Sequence, residues 1–264
     1  MYELEALFDR TAEPERIRPG TLGYRVRTIR SGSLVEVEAF PIYRRQDDAR
    51  RGRGLVTREA QRKVNLKNSI KRMQRKLECN FGTEAVFLTL TYDKVPDDPE
   101  KELDRYLAKL RYRAKKAGKD LKYVGVTEIS SKGRVHHHFA IEGVDRETCE
   151  KLWPYGYSQA RRYQDRPGGW GGLSHYMLKA RETQERFACR RFRASHNLRE
   201  PVVTVSDHRI SARKMERIAE DARIAGKEII EKIYPGCGLE EDIEIHCSEY
   251  MPGAYLYAKL RKRE

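Results

Sequence analysis

The chain has 264 residues, with 54 lysines and arginines against 40 aspartates and glutamates, a formal charge of +14. That length admits one sizeable domain with appendages or two small ones, and a charge so far beyond what folding needs points to a polyanionic partner, nucleic acid first. Five scattered cysteines with no CxxC pair argue against a disulfide framework and a zinc ribbon; no run approaches the ~18 apolar residues of a membrane span, and no signal-peptide pattern opens the chain.

Residues 1–55 are poorly patterned. Within them, 33–40 alternate apolar and acidic side chains as a strand does, and 44–54 form a charged, glycine-containing run expected to be a mobile loop. Residues 57–79 set Val64, Leu66, Ile70, Met73 and Leu77 roughly on one side of a strongly basic helix, which Asn80-Phe81-Gly82 ends. Residues 85–92, rich in β-branched and aromatic side chains, predict a central strand. Asp98 and Pro99 are the N-cap and first position of a helix bearing Leu103, Tyr106, Leu107 and Leu110 on one face, closed by Gly118. Residues 121–129 predict a strand, joined through Ser130-Ser131-Lys132-Gly133 to a second strand at 134–141. Asp145 opens a short helix that Pro154 stops, and 157–163 predict a further strand. The glycine-rich run 167–172, a candidate hinge, leads into a helix over 173–180. Beyond it, Arg190, Arg191 and Arg193 surround Phe192 in a segment suited to phosphate contact. Residues 211–234 predict one more helix, 243–247 an edge strand and 254–264 a basic tail.

The strand at 134–141 carries three consecutive histidines. Side chains alternate faces along a strand, so His136 and His138 share one face with Ala140, about 7 Å apart. His137 shares the other with Val135, Phe139 and Ile141. Two imidazoles need a third donor to hold a divalent ion, and Glu128, ending the preceding strand just before the hairpin, is placed to supply it. Two nitrogens and a carboxylate leave coordination positions open, which suits a catalytic metal; a plain surface cluster is the other reading. Tyr176 and Lys179 lie three apart and share one helical face, with His175 beside them. The order β-α-β-β-α-β-α from Val86 to Phe187 predicts an α+β fold. Its central antiparallel β-sheet would have its helices packed on one face and the histidines on the other, open one. The expected division is an N-terminal extension at 1–55, a catalytic domain at 56–204 and a helical, basic C-terminal appendage at 205–264.

In chain order, the strand Phe87-Leu88-Thr89-Leu90-Thr91-Tyr92, the triplet His136-His137-His138 and the helix Tyr176-Met177-Leu178-Lys179 resemble the three motifs of HUH endonucleases, the rolling-circle replication initiators. The likeness is to the replication-associated proteins of small bacterial plasmids, integrated elements and single-stranded DNA phages. It covers about residues 57–200, and Asn197-Leu198-Arg199-Glu200-Pro201 is similar to that group's downstream block. The resemblance implies an HUH/ferredoxin-like catalytic domain in which His136, His138 and Glu128 hold Mg²⁺ or Mn²⁺. It makes Tyr176 a single nucleophilic tyrosine with Lys179 as companion. His137 departs from the family, which usually has an apolar residue in that place. The implied reaction is site-specific nicking and joining of single-stranded DNA, through a 5′-phosphotyrosine that releases a 3′-hydroxyl for synthesis. His175, Arg190, Arg191 and Arg193 are the candidate DNA contacts. The implied partners are a single-stranded DNA origin, in a hairpin or not, and a polymerase and helicase of host or element, since the chain carries no P-loop of its own. The expected setting is the cytoplasm of a bacterial host. The alternatives are a transposase or relaxase of the same superfamily, and a metal-stabilised DNA-binding protein without catalysis.

Overall fold

The computed structural model describes residues 21–42, 58–130, 132–164, 168–179, 192–247 and 252–263. Eleven strands and six α-helices are described. They run β1 (Gly23–Ser31), β2 (Leu34–Ile42), α1 (Arg58–Asn80), β3 (Val86–Thr91), α2 (Pro99–Lys116), β4 (Lys122–Ile129), β5 (Val135–Glu142) and α3 (Arg146–Lys151). Then come β6 (Ser158–Arg162), α4 (Gly171–Lys179), β7 (Arg193–Ala194), β8 (Val202–Ser206), α5 (Ala212–Glu220), α6 (Lys227–Ile233), β9 (Cys237–Leu239), β10 (Glu244–Cys247) and β11 (Ala254–Lys262). The chain is mixed α+β with two antiparallel sheets, as the sequence pattern predicts. It divides into two compact units, Asn65–Glu200 and the combination of Met1–Val64 with Pro201–Glu264.

The unit Asn65–Glu200 is built on a five-stranded sheet in the order β6-β3-β5-β4-β7. Its elements begin where local chemistry places them. Asp98 caps α2 by accepting from the Lys101 amide at 3.0 Å, and Pro99 sits in the first turn, where a missing N–H costs nothing. Asp145 caps α3 in the same way through the Thr148 amide at 2.8 Å. Leu103, Tyr106, Leu107 and Leu110 of α2 and Cys149 of α3 pack on one face of the sheet against Leu88, Leu90, Phe139 and Ile141. The second face is not left open as the sequence pattern predicts. Met73 and Leu77 of α1 and Met177 and Leu178 of α4 pack there against Val124, Val126 and Ala140. The reason lies in β4 and β5, whose second face carries apolar Val124, Val126 and Ala140 beyond the histidines and needs a cover.

One contact in this sheet requires glycine. A Cβ on Gly125 would stand 2.1 Å from a carbon of the Phe139 ring and 2.5 Å from the His138 carbonyl oxygen. Alanine there forces the buried Phe139 ring aside, so Gly125→Ala is expected to cost about 1–3 kcal/mol. Thermal unfolding checks this, and an unchanged melting curve would contradict it.

The other unit joins the two ends of the chain. Strands β10-β11-β2-β1-β8 form one path, with β9 pairing β11. Residues 34–40 of the expected 33–40 are indeed strand, and 243–247 contains the predicted edge strand β10. Two expectations change. The basic tail is β11, a strand paired to β2 through Ala39↔Leu256 and to β10 through Ile245↔Leu256. Its Tyr255, Leu256, Tyr257 and Leu260 are buried, while Lys259 and Arg261 pair with Glu241 and Glu240. The single helix expected over 211–234 is interrupted. Asp221 leaves helical geometry (φ −147°, ψ 85°), and its carboxylate accepts from the Ile224 and Ala225 amides, starting a π-helical turn at Ala222–Gly226 before α6. Met215 and Ile218 of α5 and Ile230 of α6 cover one face of this sheet against Val26, Val37 and Leu256. The segments expected as separate extensions thus share one sheet and one core.

Candidate active site

The site is laid out by strand register. In an antiparallel pair, residues directly opposite one another lie on the same face. Glu128 pairs His136, which pairs Thr91, while Val126 pairs His138, which pairs Thr89. Two parallel rows therefore cross the sheet, and their polar ends converge at the histidines. The alternation expected from the sequence is what the structure has: His136 and His138 share a face, and His137 points into the opposite core.

Each histidine of the outer pair has a threonine beside its Nδ1. Thr91 Oγ1 lies 2.9 Å from His136 Nδ1, and Thr89 Oγ1 lies 3.3 Å from His138 Nδ1. A threonine hydroxyl both donates and accepts, so it meets Nδ1 in either tautomer and holds each ring in orientation with its Nε2 turned away from β3. The two rings lie nearly parallel, with centroids 6.4 Å apart, and Phe87 stacks on the far side of His138 at 6.0 Å. Glu128 Oε2 stands 3.4 Å from His138 Nε2. Burial, together with the neighbouring His136 imidazole, holds the His138 pKa below its ordinary value against the pull of Glu128. A neutral imidazole is the form that binds a cation.

The donor chemistry fits a divalent metal: two imidazole nitrogens and one carboxylate oxygen. Among the described residues, however, no group of three or more His, Cys, Asp or Glu side chains is drawn together as a metal cluster.

His137 belongs to the core. It is fully buried, with Thr127 Oγ1 3.0 Å from Nδ1 and Tyr92 Oη 3.1 Å from Nε2. Burial, then repulsion from His138, Arg193 and His136, pushes its pKa down to about 3. Both hydroxyls also donate elsewhere, Thr127 to Glu100 and Tyr92 to the Pro99 carbonyl, each at 2.9 Å, so the single N–H of the neutral ring has a hydroxyl acceptor. A polar pocket within the core is why a histidine is tolerated where the resemblance expects an apolar residue.

Tyr176 completes the arrangement. Its ring meets His138 edge to face with centroids 5.9 Å apart, and the residue is 56 % exposed. The neighbours Met177 and Leu178 are buried, so α4 inserts its apolar side into the unit and leaves Tyr176 beside the histidines and open to solvent. The glycine run before α4 ends in an anchor. Gly168 and Gly169 take positive φ (90° and 53°), and Trp170 follows with its ring 3.6 Å from that of Tyr163 and 5.9 Å from that of Phe81.

A family model of replication-associated proteins, the ORF2 and gene-2 protein group, matches residues 85–181. The match supports a rolling-circle replication initiator. No curated protein and no solved structure gives a significant match. The matched span contains β3, β4, β5 and α4, and with them every residue of the two rows and Tyr176. The match points to a role in replication and spans 97 of the 264 residues. No helix among the described residues is long and apolar enough to cross a membrane.

The remaining candidates fare differently. His175 is exposed on α4. Lys179 is the last residue of α4, one turn beyond Tyr176. Arg190 and Arg191 lie outside the described residues. Arg193 is engaged within the unit, with one guanidinium nitrogen 2.7 Å from Asp104 and another 3.2 Å from Glu100. Arg199 is similarly committed: it donates to the Cys79 carbonyl at 2.7 Å, near the C-terminus of α1, where a cation is favoured. Sequence reasoning missed Thr89 and Thr91 as partners of the histidines. Their signal was parity, since alternate residues of β3 face alternate residues of β5.

Proposed function

We propose that this chain nicks and rejoins single-stranded DNA at a replication origin, with Tyr176 as the nucleophile. The observation that carries the reading is the exposed Tyr176 ring resting against His138, with His136 beside it and Glu128 Oε2 3.4 Å from its Nε2. The Tyr176 oxygen attacks a backbone phosphorus, forming a P–O bond to the phenol as the bond to the 3′ oxygen breaks. The phenol loses its proton, and the departing 3′ oxygen gains one to become a hydroxyl that primes synthesis. Attack by a 3′-hydroxyl on the phosphotyrosine reverses both changes and rejoins the strand. A divalent metal, Mg²⁺ or Mn²⁺, held by His136, His138 and Glu128 would stabilise the charge that builds on the nonbridging phosphate oxygens.

The threonines hold the imidazole rings in orientation. The anchored start of α4 keeps Tyr176 at the edge of the histidines. To Lys179, one turn on along α4, we assign the role of a charge partner for the reacting phosphate. A partner helicase would separate the strands and a partner polymerase would extend the 3′ end. The test is a denaturing gel on which protein is mixed with labelled single-stranded oligonucleotides covering the element's own origin. A covalent adduct is expected that disappears with EDTA and in Tyr176→Phe. Tight binding without any adduct would favour a DNA-binding protein with no catalysis.

A further inference from the structure

The two rows across the sheet do not stop at β3. Antiparallel pairing of β3 with β6 sets Thr89 opposite Gln159 and Phe87 opposite Arg161, so these side chains share the face of the histidines. The Thr91 amide donates to the Tyr157 carbonyl at 2.8 Å, which continues the same register by one pair and places Tyr157 beside Thr91. The first row is therefore Glu128, His136, Thr91 and Tyr157, and the second is Val126, His138, Thr89 and Gln159. Along β6, Tyr157, Gln159 and Arg161 stand on one face, about 7 Å between neighbours.

These three side chains are unlike the rest of that face. Tyr157 is 57 % exposed, although a large aromatic of the core would be covered. It shares no ring contact with another aromatic among the described residues, whereas Tyr92, Trp153 and Tyr155 meet one another edge-on or tilted. Arg161 is exposed and, among the described residues, has no carboxylate partner, in contrast to Arg193 and Arg261. β6 is an outer strand of its sheet, so among the described residues no further strand flanks these side chains on that side. An exposed aromatic, an amide and an unpaired guanidinium in line with a site for phosphodiester chemistry make the combination that holds a single strand. The ring stacks on a base, the amide bonds a base edge and the cation takes a phosphate.

We infer that the outer face of β6 is the track for single-stranded DNA beside the scissile phosphate, with Tyr157 stacking a base next to the His136 row and Arg161 contacting the backbone. The inference rests on the proposed function for its choice of ligand. It assigns these residues to binding and positioning, with no part in bond making.

The test measures binding in a Tyr176→Phe background, which removes strand cleavage from the readout. Fluorescein-labelled oligothymidine is a suitable probe, because stacking tolerates any base. Tyr157→Ala is expected to weaken binding roughly 10- to 100-fold, and Tyr157→Phe to restore most of it. Arg161→Gln should reduce the slope of log affinity against log salt by about one phosphate contact. Thermal unfolding of each variant serves as the folding control. Equal binding by Tyr157→Ala and the parent protein would overturn the inference, as would a parent that does not bind the single strand at all. If the parent binds and responds to Tyr157→Ala while the wild type forms no adduct, the β6 track stands and the nicking reading falls.

Discussion

Alanine at His138 is expected to lower adduct formation at least about 100-fold, because the change removes a donor from the phosphate site and the surface against which Tyr176 rests. His138 is the centre of the site by geometry. Its ring lies between Phe87 at 6.0 Å and His136 at 6.4 Å and meets the Tyr176 ring edge-on at 5.9 Å. A group that stabilises charge in the transition state is worth several kcal/mol in a site of this kind, and each 1.36 kcal/mol is tenfold in rate. Stability should respond much less, since His138 is on the site face and its backbone pairing with Thr89 and Val126 is untouched. Adduct yield against time, beside a melting curve, separates the two. Loss of activity that merely tracked loss of folded protein would count against the assigned role.

The second large effect is structural in origin. Trp170→Ala should destabilise the unit Asn65–Glu200 by about 3–5 kcal/mol. Trp170 is buried between Tyr163 and Phe81, its amide donates to Glu78 at 3.2 Å, and its carbonyl accepts the Ser174 hydroxyl at 2.9 Å. Truncating it empties a space lined by aromatic rings and loosens the first turn of α4, six residues before Tyr176. A fall of about 10 °C in melting temperature follows from that cost. Nicking should weaken even at temperatures where the variant stays folded, since α4 loses its anchor. A melting temperature within a degree or two of wild type would contradict the packing argument.

The parts of this architecture with short-range causes were legible in the sequence. Alternation placed His136 and His138 on one face, Asp98 with Pro99 marked the start of α2, and the run 173–180 read as the helix that carries Tyr176. What escaped depends on partners far away in the chain. Val37 pairs Ala258 across more than two hundred residues, and no local pattern announces that union. Residues 254–264 read only as a basic tail because the carboxylates that pair Lys259 and Arg261, Glu241 and Glu240, belong to another segment. β8 was missed for a different reason: Val202, Val203 and Val205 are exposed, so the strand has no buried face to give it a period. Likewise the cover over Val124 and Ala140 became visible only when α1 and α4 were seen on the histidine face. At the site, His136, His138, Glu128 and Tyr176 were candidates from the sequence, and register added their neighbours Thr89, Thr91 and the residues of β6.

The most direct test of the account is to identify the amino acid that carries the DNA. The trapped adduct would be digested with nuclease and protease, and the nucleotide-bearing peptide sequenced by mass spectrometry. The account predicts a nucleotide joined through its 5′-phosphate to Tyr176. A nucleotide on any other residue, or one joined through a 3′-phosphate, would contradict it.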